Sequence, residues 1–322
     1  MNLKEIDGNG TVEGFVLVKS CDKKTAKNGS MFLDLHIADK GGEINAKIWD
    51  YREGGFIPEN NSIVKVRGVI SEYNGTPQMR IDKIRAKWDS DVVDMADIIP
   101  SADYTGEFMM LSIREKVSAF RNEQLRTLVM AVLDEYGEKM IDCPAAFKLH
   151  HAIRGRLLMH TLSIVKLCEC VASIYPTVDR ELLISGAVLH DVCKTDEFVI
   201  SQSGLVDGYT PEGTLVGHLV MGAMMIDRIA REKGVDKDTA MLLEHMLISH
   251  HGIPEYGAAI RPLFVEAEVL SQLDTLDATI YEFNDTLENV KPGEFSSRQW
   301  ALDNRKLYNH GRREISTEVN LD

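Results

Sequence analysis

The sequence predicts a chain of two domains, a small antiparallel β-barrel followed by an all-α domain. From residue 11 to about residue 87, apolar residues mostly alternate with polar ones, which is the period of a half-buried strand. Beyond about residue 106 they recur at three- and four-residue spacing, which is the period of an amphipathic helix. The chain has 322 residues, 44% of them hydrophobic, so each domain can bury a core.

Five short strands are predicted in the first region, because turns rich in Asn and Gly interrupt the alternation. Val12, Val16 and Val18 carry the pattern in the first strand, and Asn74-Gly75 marks the last turn. Five antiparallel strands in so short a region favour a closed barrel of the OB-fold type. The predicted strands cover residues 11–20, 31–38, 43–49, 62–71 and 77–87.

The helical region follows a short acidic stretch that is typical of a linker. We therefore assign residues 1–88 to the barrel, 89–106 to the linker and 107–322 to the helical domain with its C-terminal tail. A small hairpin is predicted from Phe198 to Thr210. The predicted helices cover residues 107–121, 123–139, 156–174, 179–190, 215–233, 237–250 and 262–287.

Charge is divided unevenly between the two domains. The net charge of −14 argues against a protein that coats nucleic acid nonspecifically, since a field of that sign repels phosphate. Residues 1–88, however, hold 14 Lys+Arg and 12 Asp+Glu, whereas residues 89–322 hold 22 and 38. The acidity therefore belongs to the helical domain, and the barrel is slightly basic.

The cysteines and the N-terminus predict a soluble, cytoplasmic protein. Five cysteines without a CxxC pair do not form a disulfide framework, which fits a reducing compartment. The N-terminus lacks the basic and apolar stretches of a signal peptide, and no run approaches the roughly 18 apolar residues of a membrane span. We expect no membrane partner. The sequence leaves the oligomeric state open, and a homo-oligomer is compatible with it.

Histidines and aspartates occur in order on separate predicted helices, each among apolar neighbours. One buried histidine is more often a satisfied core residue than a ligand, but seven such groups need partners, because unpaired buried charges are costly. Imidazole and carboxylate without thiolate suit Mn, Fe, Co, Ni or Zn, and so large a set could hold two ions bridged by one aspartate. The seven residues are His160, His190, Asp191, His218, His250, His251 and Asp274.

The order H…HD…D resembles the signature of the HD-domain metal-dependent phosphohydrolases, an all-α superfamily. The resemblance implies that His160, His190, Asp191 and Asp274 hold one metal ion. It further implies that Asp191 bridges to a second ion, held by histidines among the remaining three. Which member of the adjacent histidine pair ligates is left open.

A bridging carboxylate makes Asp191 the predicted centre of catalysis. Two metal ions lower the pKa of a bridging water and neutralise the charge on a reacting phosphodiester. Lys194 lies one helical turn further on, where it could contact the scissile phosphate, although a solvated surface lysine is an equal interpretation. His151 could line the same pocket. Asp277 is expected to orient a ligand histidine, and Glu197 is a weaker candidate for such a role.

The barrel has the features of a single-strand binding surface, which combines a basic face with aromatic rings on which bases stack. Lys23, Lys27 and Tyr51 are the predicted substrate contacts. Phe15 and Trp49 are candidates too, but both are expected in the barrel interior. Further candidates are Phe32, Tyr73, Lys19, Lys24, Lys47, Lys65, Arg67 and Arg80.

The chain as a whole resembles the YhaM-type, or CMP-binding-factor-like, 3′→5′ exoribonucleases. The similarity extends to a tail that contains Pro292-Gly293-Glu294-Phe295-Ser296 and Leu302-Asp303-Asn304-Arg305. It implies metal-dependent release of nucleoside 5′-monophosphates from the 3′ end of single-stranded RNA, or also DNA, with Mn²⁺ as cofactor. One departure is that Arg156 and Met159 stand where the resemblance implies Gly and Glu before the first ligand.

Two other functions stay open from the residues. One is a phosphohydrolase of mononucleotides or cyclic nucleotides, with the barrel as a regulatory module. The other is a nucleic-acid-binding factor whose metal site is structural. The size of the ligand set argues against the second, since a structural site rarely needs seven potential ligands.

Overall fold

The computed structural model describes residues 3, 11–26, 29–39, 42–60, 62–73, 76–88, 90–91, 93, 98, 104–145, 155–201, 206–288, 290–317 and 319–321. Lys27, His151 and most of the predicted linker lie outside the described residues. The chain divides into two compact units, residues 1–101 with 200–207, and residues 102–199 with 208–322.

The first unit is a closed five-stranded barrel in the order β1-β2-β3-β5-β4, as the alternation of apolar residues predicts. Neighbouring strands are antiparallel except β3 and β5, which run parallel. Aliphatic side chains such as Val16, Leu35 and Val64 fill the interior. The strands are β1 (Thr11–Thr25), β2 (Met31–Asp39), β3 (Gly42–Ile48), β4 (Ser62–Tyr73) and β5 (Thr76–Ala86).

The expectation that Phe15 and Trp49 lie inside the barrel is wrong. Side chains alternate across a strand, and because Val16 points inward, Phe15 points outward, where it pairs in register with Lys65. Trp49 follows the last residue of β3, and 43% of its surface is exposed. Both rings are therefore accessible on the outside of the barrel.

The second unit is built from nine helices within its described residues. Several begin with a side chain that accepts backbone N–H groups of the first turn, including Thr105, Asn122, Asp179 and Asp236. The helices are α1 (Gly106–Ser118), α2 (Glu123–Asp142), α3 (Arg156–Ile174), α4 (Arg180–Leu189), α5 (Lys194–Glu197), α6 (Pro211–Leu215), α7 (His218–Lys233), α8 (Lys237–Ser249) and α9 (Val265–Glu288).

Short elements account for the differences from the predicted helical domain. α5 and α6 are too short to show a helical period in the sequence. The predicted hairpin is present as β6 (Phe198–Ile200) and β7 (Val206–Tyr209). The tail forms a second hairpin from β8 (Phe295–Gln299) and β9 (Arg305–Tyr308), which the sequence did not predict.

α3 is the one helix, among the described residues, whose length and composition would suffice to cross a membrane. It packs within the helical unit against α1, α2, α4 and α9. Its first half is buried there almost throughout, so its apolar composition is accounted for by the core.

Candidate metal centre

The structure brings all seven predicted ligands together within the helical unit. His160 lies on α3 and Asp274 on α9, whereas the other five lie at or just beyond the end of a helix. His190 and Asp191 follow α4, His218 begins α7, and His250 and His251 follow α8.

Two histidines are oriented by carbonyl groups of their own helix. His190 Nδ1 lies 2.8 Å from the carbonyl oxygen of Ala187, and His250 Nδ1 lies 2.7 Å from that of Leu247. The last carbonyls of a helix have no partner within it, so each ring satisfies one of them by donating from Nδ1. The Nε2 atom of each ring is thereby directed into the site.

His160 and His251 are held in the same manner by other groups. His160 Nδ1 lies 2.7 Å from Asp277 Oδ2, and Ser163 Oγ donates to the other oxygen of that carboxylate at 2.5 Å. His251 Nδ1 lies 2.8 Å from the carbonyl oxygen of Tyr256. Asp277 therefore lies where it can orient a histidine, as its spacing from Asp274 predicts. The contact of His251 with the Tyr256 carbonyl was not predicted.

His218 is fixed at two points by one carboxylate. Glu197, at the end of α5, lies with Oε1 3.2 Å from the backbone nitrogen and Oε2 2.9 Å from Nδ1 of His218. Gly217 precedes this histidine and has a φ of +76°, a conformation that residues with a side chain disfavour. This turn brings the backbone nitrogen of His218 to Glu197. All five rings therefore share one arrangement, with Nδ1 held from behind and Nε2 directed into the site.

Asp191 lies between two groups of these Nε2 atoms. Its Oδ1 is 3.3 Å from Nε2 of His218 and 3.8 Å from that of His250. Its Oδ2 is 3.3 Å from Nε2 of His190 and 3.7 Å from that of His160. One carboxylate thus offers one oxygen to each group.

Asp274 lies beside the two histidines that face Asp191 Oδ2. Asp274 Oδ1 lies 3.2 Å from His160 Nε2 and 4.0 Å from His190 Nε2. Within each group the potential ligand atoms lie within 4.8 Å of one another. The groups are His160, His190 and Asp191, and His218, His250 and His251.

Three atoms at this centre are buried without a hydrogen-bond partner among the described residues. They are Asp191 Oδ1, His218 Nε2 and His250 Nε2. Leaving one such group unsatisfied costs about 1–3 kcal/mol, and here three converge. A lone-pair oxygen beside two lone-pair nitrogens is a donor set that a divalent cation satisfies, so the residues fit a metal ion.

The protein environment shifts the pKa values of these carboxylates and histidines in different directions. Burial opposes ionisation of Asp191, but Lys194 and His190 hold its pKa well below its usual range. Burial lowers the pKa of His250 and of His251. Burial also opposes protonation of His160, but Asp274 and Asp277 raise its pKa to about 10. Metal ions require anionic carboxylates and neutral imidazoles, so an ion bound here would replace the proton that Asp274 and Asp277 favour on His160.

Lys194 is not a solvated surface lysine. Its Nζ donates to Asp191 Oδ2 at 2.7 Å, and only 17% of its side chain is exposed. The ammonium therefore lies against the Asp191 carboxylate, on the oxygen that faces His160 and His190.

The predicted contacts on the barrel form a separate group. Lys23 Nζ lies 5.7 Å from the ring centroid of Tyr51. On the adjoining strands, Phe32 and Trp49 have ring centroids 4.8 Å apart, and Lys47 Nζ lies over both rings. Aromatic rings and ammonium groups thus alternate along one side of the barrel.

The two departures before the first ligand are both buried. The guanidinium carbon of Arg156 lies 3.7 Å from the centroid of the Tyr281 ring, and 7% of Arg156 is exposed. Met159 is 2% exposed. Neither residue displaces a ligand from the metal centre.

A five-stranded nucleic-acid-binding barrel and a helical unit with this His/Asp centre define a metal-dependent hydrolase of the HD class. The family model of the OB-fold nucleic acid binding domain matches residues 11–86, and that of the HD domain matches residues 157–279.

Comparison with known proteins narrows this class. The chain is 38% identical over 309 residues to the 3′-5′ exoribonuclease YhaM of Listeria welshimeri, covering 95% of this chain and 97% of that protein. It is 37% identical over 299 residues to the protein of the same name from Bacillus licheniformis, with 92% and 94% covered. The chain belongs to the YhaM family of 3′-5′ exoribonucleases.

Some of the solved structures that are similar to this chain are OB-fold domains. The second OB-fold domain of replication protein A from Methanococcus maripaludis is 16% identical, with a TM-score of 0.23, and the match covers 29% of this chain and 98% of that one. This similarity is too weak to support a functional conclusion.

Proposed function

We propose that this metal-dependent 3′→5′ exoribonuclease hydrolyses single-stranded RNA, and DNA as an alternative strand, and releases nucleoside 5′-monophosphates. The observation that carries the proposal is the position of Asp191, whose two oxygens face two separate histidine groups. This arrangement suits the bridge of a binuclear site, which is a common device for hydrolysing phosphodiesters.

We assign one metal ion to His160, His190, Asp191 and Asp274. The second would be held by Asp191 with His218, His250 and His251, since all three histidines direct Nε2 inward. Bound there, the two ions would supply a hydroxide nucleophile at neutral pH and neutralise charge on the phosphate.

The protein's own groups bind and orient around that centre. Lys194 is placed to contact a nonbridging oxygen of the scissile phosphate as a point charge, while it also neutralises Asp191. Asp277 and Glu197 hold His160 and His218 in the tautomer that presents Nε2. His151 precedes the first ligand by nine positions and is proposed to line the same pocket.

The barrel binds the strand through the side that carries its unburied rings. Strands β2 and β3 and the loop between β1 and β2 are the usual oligonucleotide-binding region of OB-folds. Lys47 lies on β3, and Trp49 and Tyr51 follow that strand, with the Trp49 ring against Phe32 of β2. Lys23, near the end of β1, lies beside Tyr51, and Lys27 belongs to the loop between β1 and β2.

We further propose Mn²⁺ as the metal and the cytoplasm as the location. Nitrogen and oxygen ligands without thiolate are compatible with Mn²⁺. All five cysteines are free thiols, which fits a reducing compartment. A homo-oligomer is compatible with these assignments.

The decisive experiment follows products from single strands labelled at the 5′ or the 3′ end, with Mn²⁺, Mg²⁺ or a chelator. We expect a ladder of shortening 5′-labelled strands, immediate release of the 3′ label as a mononucleotide, and no reaction with chelator. Faster turnover of mononucleotides or cyclic nucleotides than of strands would instead identify a small-molecule phosphohydrolase. Tight strand binding without any product would identify a nucleic-acid-binding factor.

A further inference from the structure

The C-terminal hairpin exposes three aromatic rings. Trp300 is 86% exposed, Phe295 64% and Tyr308 49%. Isolated exposed aromatic residues are ordinary, but several on one small element indicate an interaction surface. Nothing in the centre described above uses these residues.

The rings are held by a folded hairpin. Phe295 and Tyr308 pair in register across β8 and β9, and their ring centroids are 4.9 Å apart. On the opposite face, Leu302 and Leu307 are buried against Leu287 of α9. Because side chains alternate along a strand, burying Leu307 directs Tyr308 to solvent. The rings of Phe295 and Tyr308 are therefore packed against each other before any partner binds, and Trp300 lies between their strands.

The hairpin is also basic within an acidic domain. Residues 290–313 hold six Lys+Arg and two Asp+Glu, whereas residues 89–322 together hold 22 and 38. Arg298 and Lys306 lie opposite each other in register, and both are exposed. Exposed rings with interspersed cations are the combination by which proteins bind single strands.

A polyanion fits this surface better than a second copy of the chain does. In a symmetric dimer the same patch would face itself, so its positive charges would repel one another. A strand offers phosphates to the cations and flat bases to the rings.

We propose that the C-terminal hairpin is a second binding surface for single-stranded RNA, in which Trp300 stacks on a base and Lys306 contacts a phosphate. The proposal rests on the proposed exoribonuclease function. Helix α9 links this surface to the metal centre, because it carries both Asp274 and Phe283, and Arg305 of the hairpin lies over the Phe283 ring. The distance from Asp274 to Phe283 along the helix axis is about 14 Å at 1.5 Å per residue. The hairpin therefore binds nucleotides upstream of the cleaved end.

The test compares Trp300→Ala and Lys306→Glu with the wild-type protein in Mn²⁺, on a single strand of about 20 nucleotides and on a dinucleotide. We expect KM for the long strand to rise about fivefold or more in Trp300→Ala, with kcat and dinucleotide turnover unchanged. Lys306→Glu should also reduce the salt dependence of strand binding by about one phosphate contact.

Matched controls on the same unit are Tyr175→Ala, an exposed ring, and Lys233→Glu, an exposed cation. Both should retain wild-type KM. Equal KM for hairpin variants and wild type would overturn the proposal while leaving the exoribonuclease function intact. A change in oligomeric mass in Trp300→Ala would overturn it in favour of a contact between copies. Failure of the wild-type protein to degrade any strand would instead refute the proposed function.

Discussion

Glu197 holds His218 through both of its carboxylate oxygens, one 3.2 Å from the backbone nitrogen and one 2.9 Å from Nδ1. The carboxylate thereby fixes the ring orientation and the tautomer, and raises the basicity of Nε2. Glu197 itself is positioned by α5, a helix of four residues that begins shortly after Asp191. The orientation of His218 within the group His218, His250 and His251 thus depends on a carboxylate that we do not assign to a metal ion.

Replacing this carboxylate should weaken metal binding without unfolding the protein. We expect Glu197→Gln to lower the affinity of one metal ion about 10–100-fold, because the neutral amide supports the histidine less well. Titration calorimetry with Mn²⁺ measures the effect. Glu212→Gln, an exposed residue of α6, is the control and should bind both ions as the wild type does. Equal affinities in the two variants would contradict the role of Glu197.

The bridging role that we propose for Asp191 predicts a larger loss of activity. An amide offers one oxygen instead of two, so Asp191→Asn should release at least one ion and reduce kcat by about 10³-fold or more. Metal content and strand degradation are measured on the same preparation. Asp196→Asn, a nearby residue that pairs with Lys139 on the surface, should keep both. Full activity in Asp191→Asn would exclude the bridging mechanism.

Metal binding should stabilise the helical unit, because it satisfies atoms that are buried without partners. At a Mn²⁺ concentration of 100 times Kd the gain is about 2.7 kcal/mol, and we expect a rise in Tm of about 5–10 °C. Differential scanning calorimetry with Mn²⁺ and with chelator tests this. His250→Ala should abolish most of the shift, and a shift of the barrel transition alone would speak against the assigned site.

Strand capture by the barrel predicts a difference between two exposed tryptophans. Trp49→Ala should weaken binding of a single strand about fivefold or more, since base stacking on one ring contributes about 1–3 kcal/mol. Trp88→Ala should change little, because that ring stacks on Arg85, 4.0 Å from its guanidinium carbon. Fluorescence anisotropy in chelator measures binding without hydrolysis. A larger effect at Trp88 would move the binding surface to β4 and β5.

One ion-pair network predicts a pH dependence of stability. Glu169 on α3 accepts from Lys116 of α1 and Arg180 of α4, both at 2.6 Å. Burial opposes its ionisation, but these two cations lower its pKa below 4.5. A folded-state pKa below the unfolded value gives stability that is present above pH 4.5 and lost as pH falls through the folded value. Glu169→Gln should therefore lower Tm at pH 7, and this loss should shrink as pH falls below 4.5. A loss in Tm that does not change with pH would contradict the network.

In the barrel, the alternation of apolar residues predicts the strands and their buried faces. Alternation at Val12, Val16 and Val18 predicts both the first strand and its inner face, because a period of two has only two phases. The same pattern already implies that Phe15 points outward, so the interior position that we predicted for this ring conflicts with the alternation. The C-terminal hairpin was missed for a related reason: its strands have five and four residues, too few to show a period.

The metal centre shows the other limit. Residue type and order were sufficient to select seven residues that the structure brings together, since buried imidazoles and carboxylates require a shared partner. The acceptors behind them were only partly visible: Asp277 follows Asp274 by one turn, whereas the carbonyls of Ala187, Leu247 and Tyr256 belong to the backbone. Every residue has a carbonyl group, so no sequence pattern marks those that will be used.

The sequence by itself determined the two-domain order, the barrel and the set of residues proposed as ligands, because local periods and residue chemistry are properties of the chain. Only the tertiary structure decided that Asp191 divides its oxygens between two groups and that Glu197 supports His218. It also decided that the rings of the tail face outward. These relations join residues on different elements, and their distances depend on how the helices and strands pack.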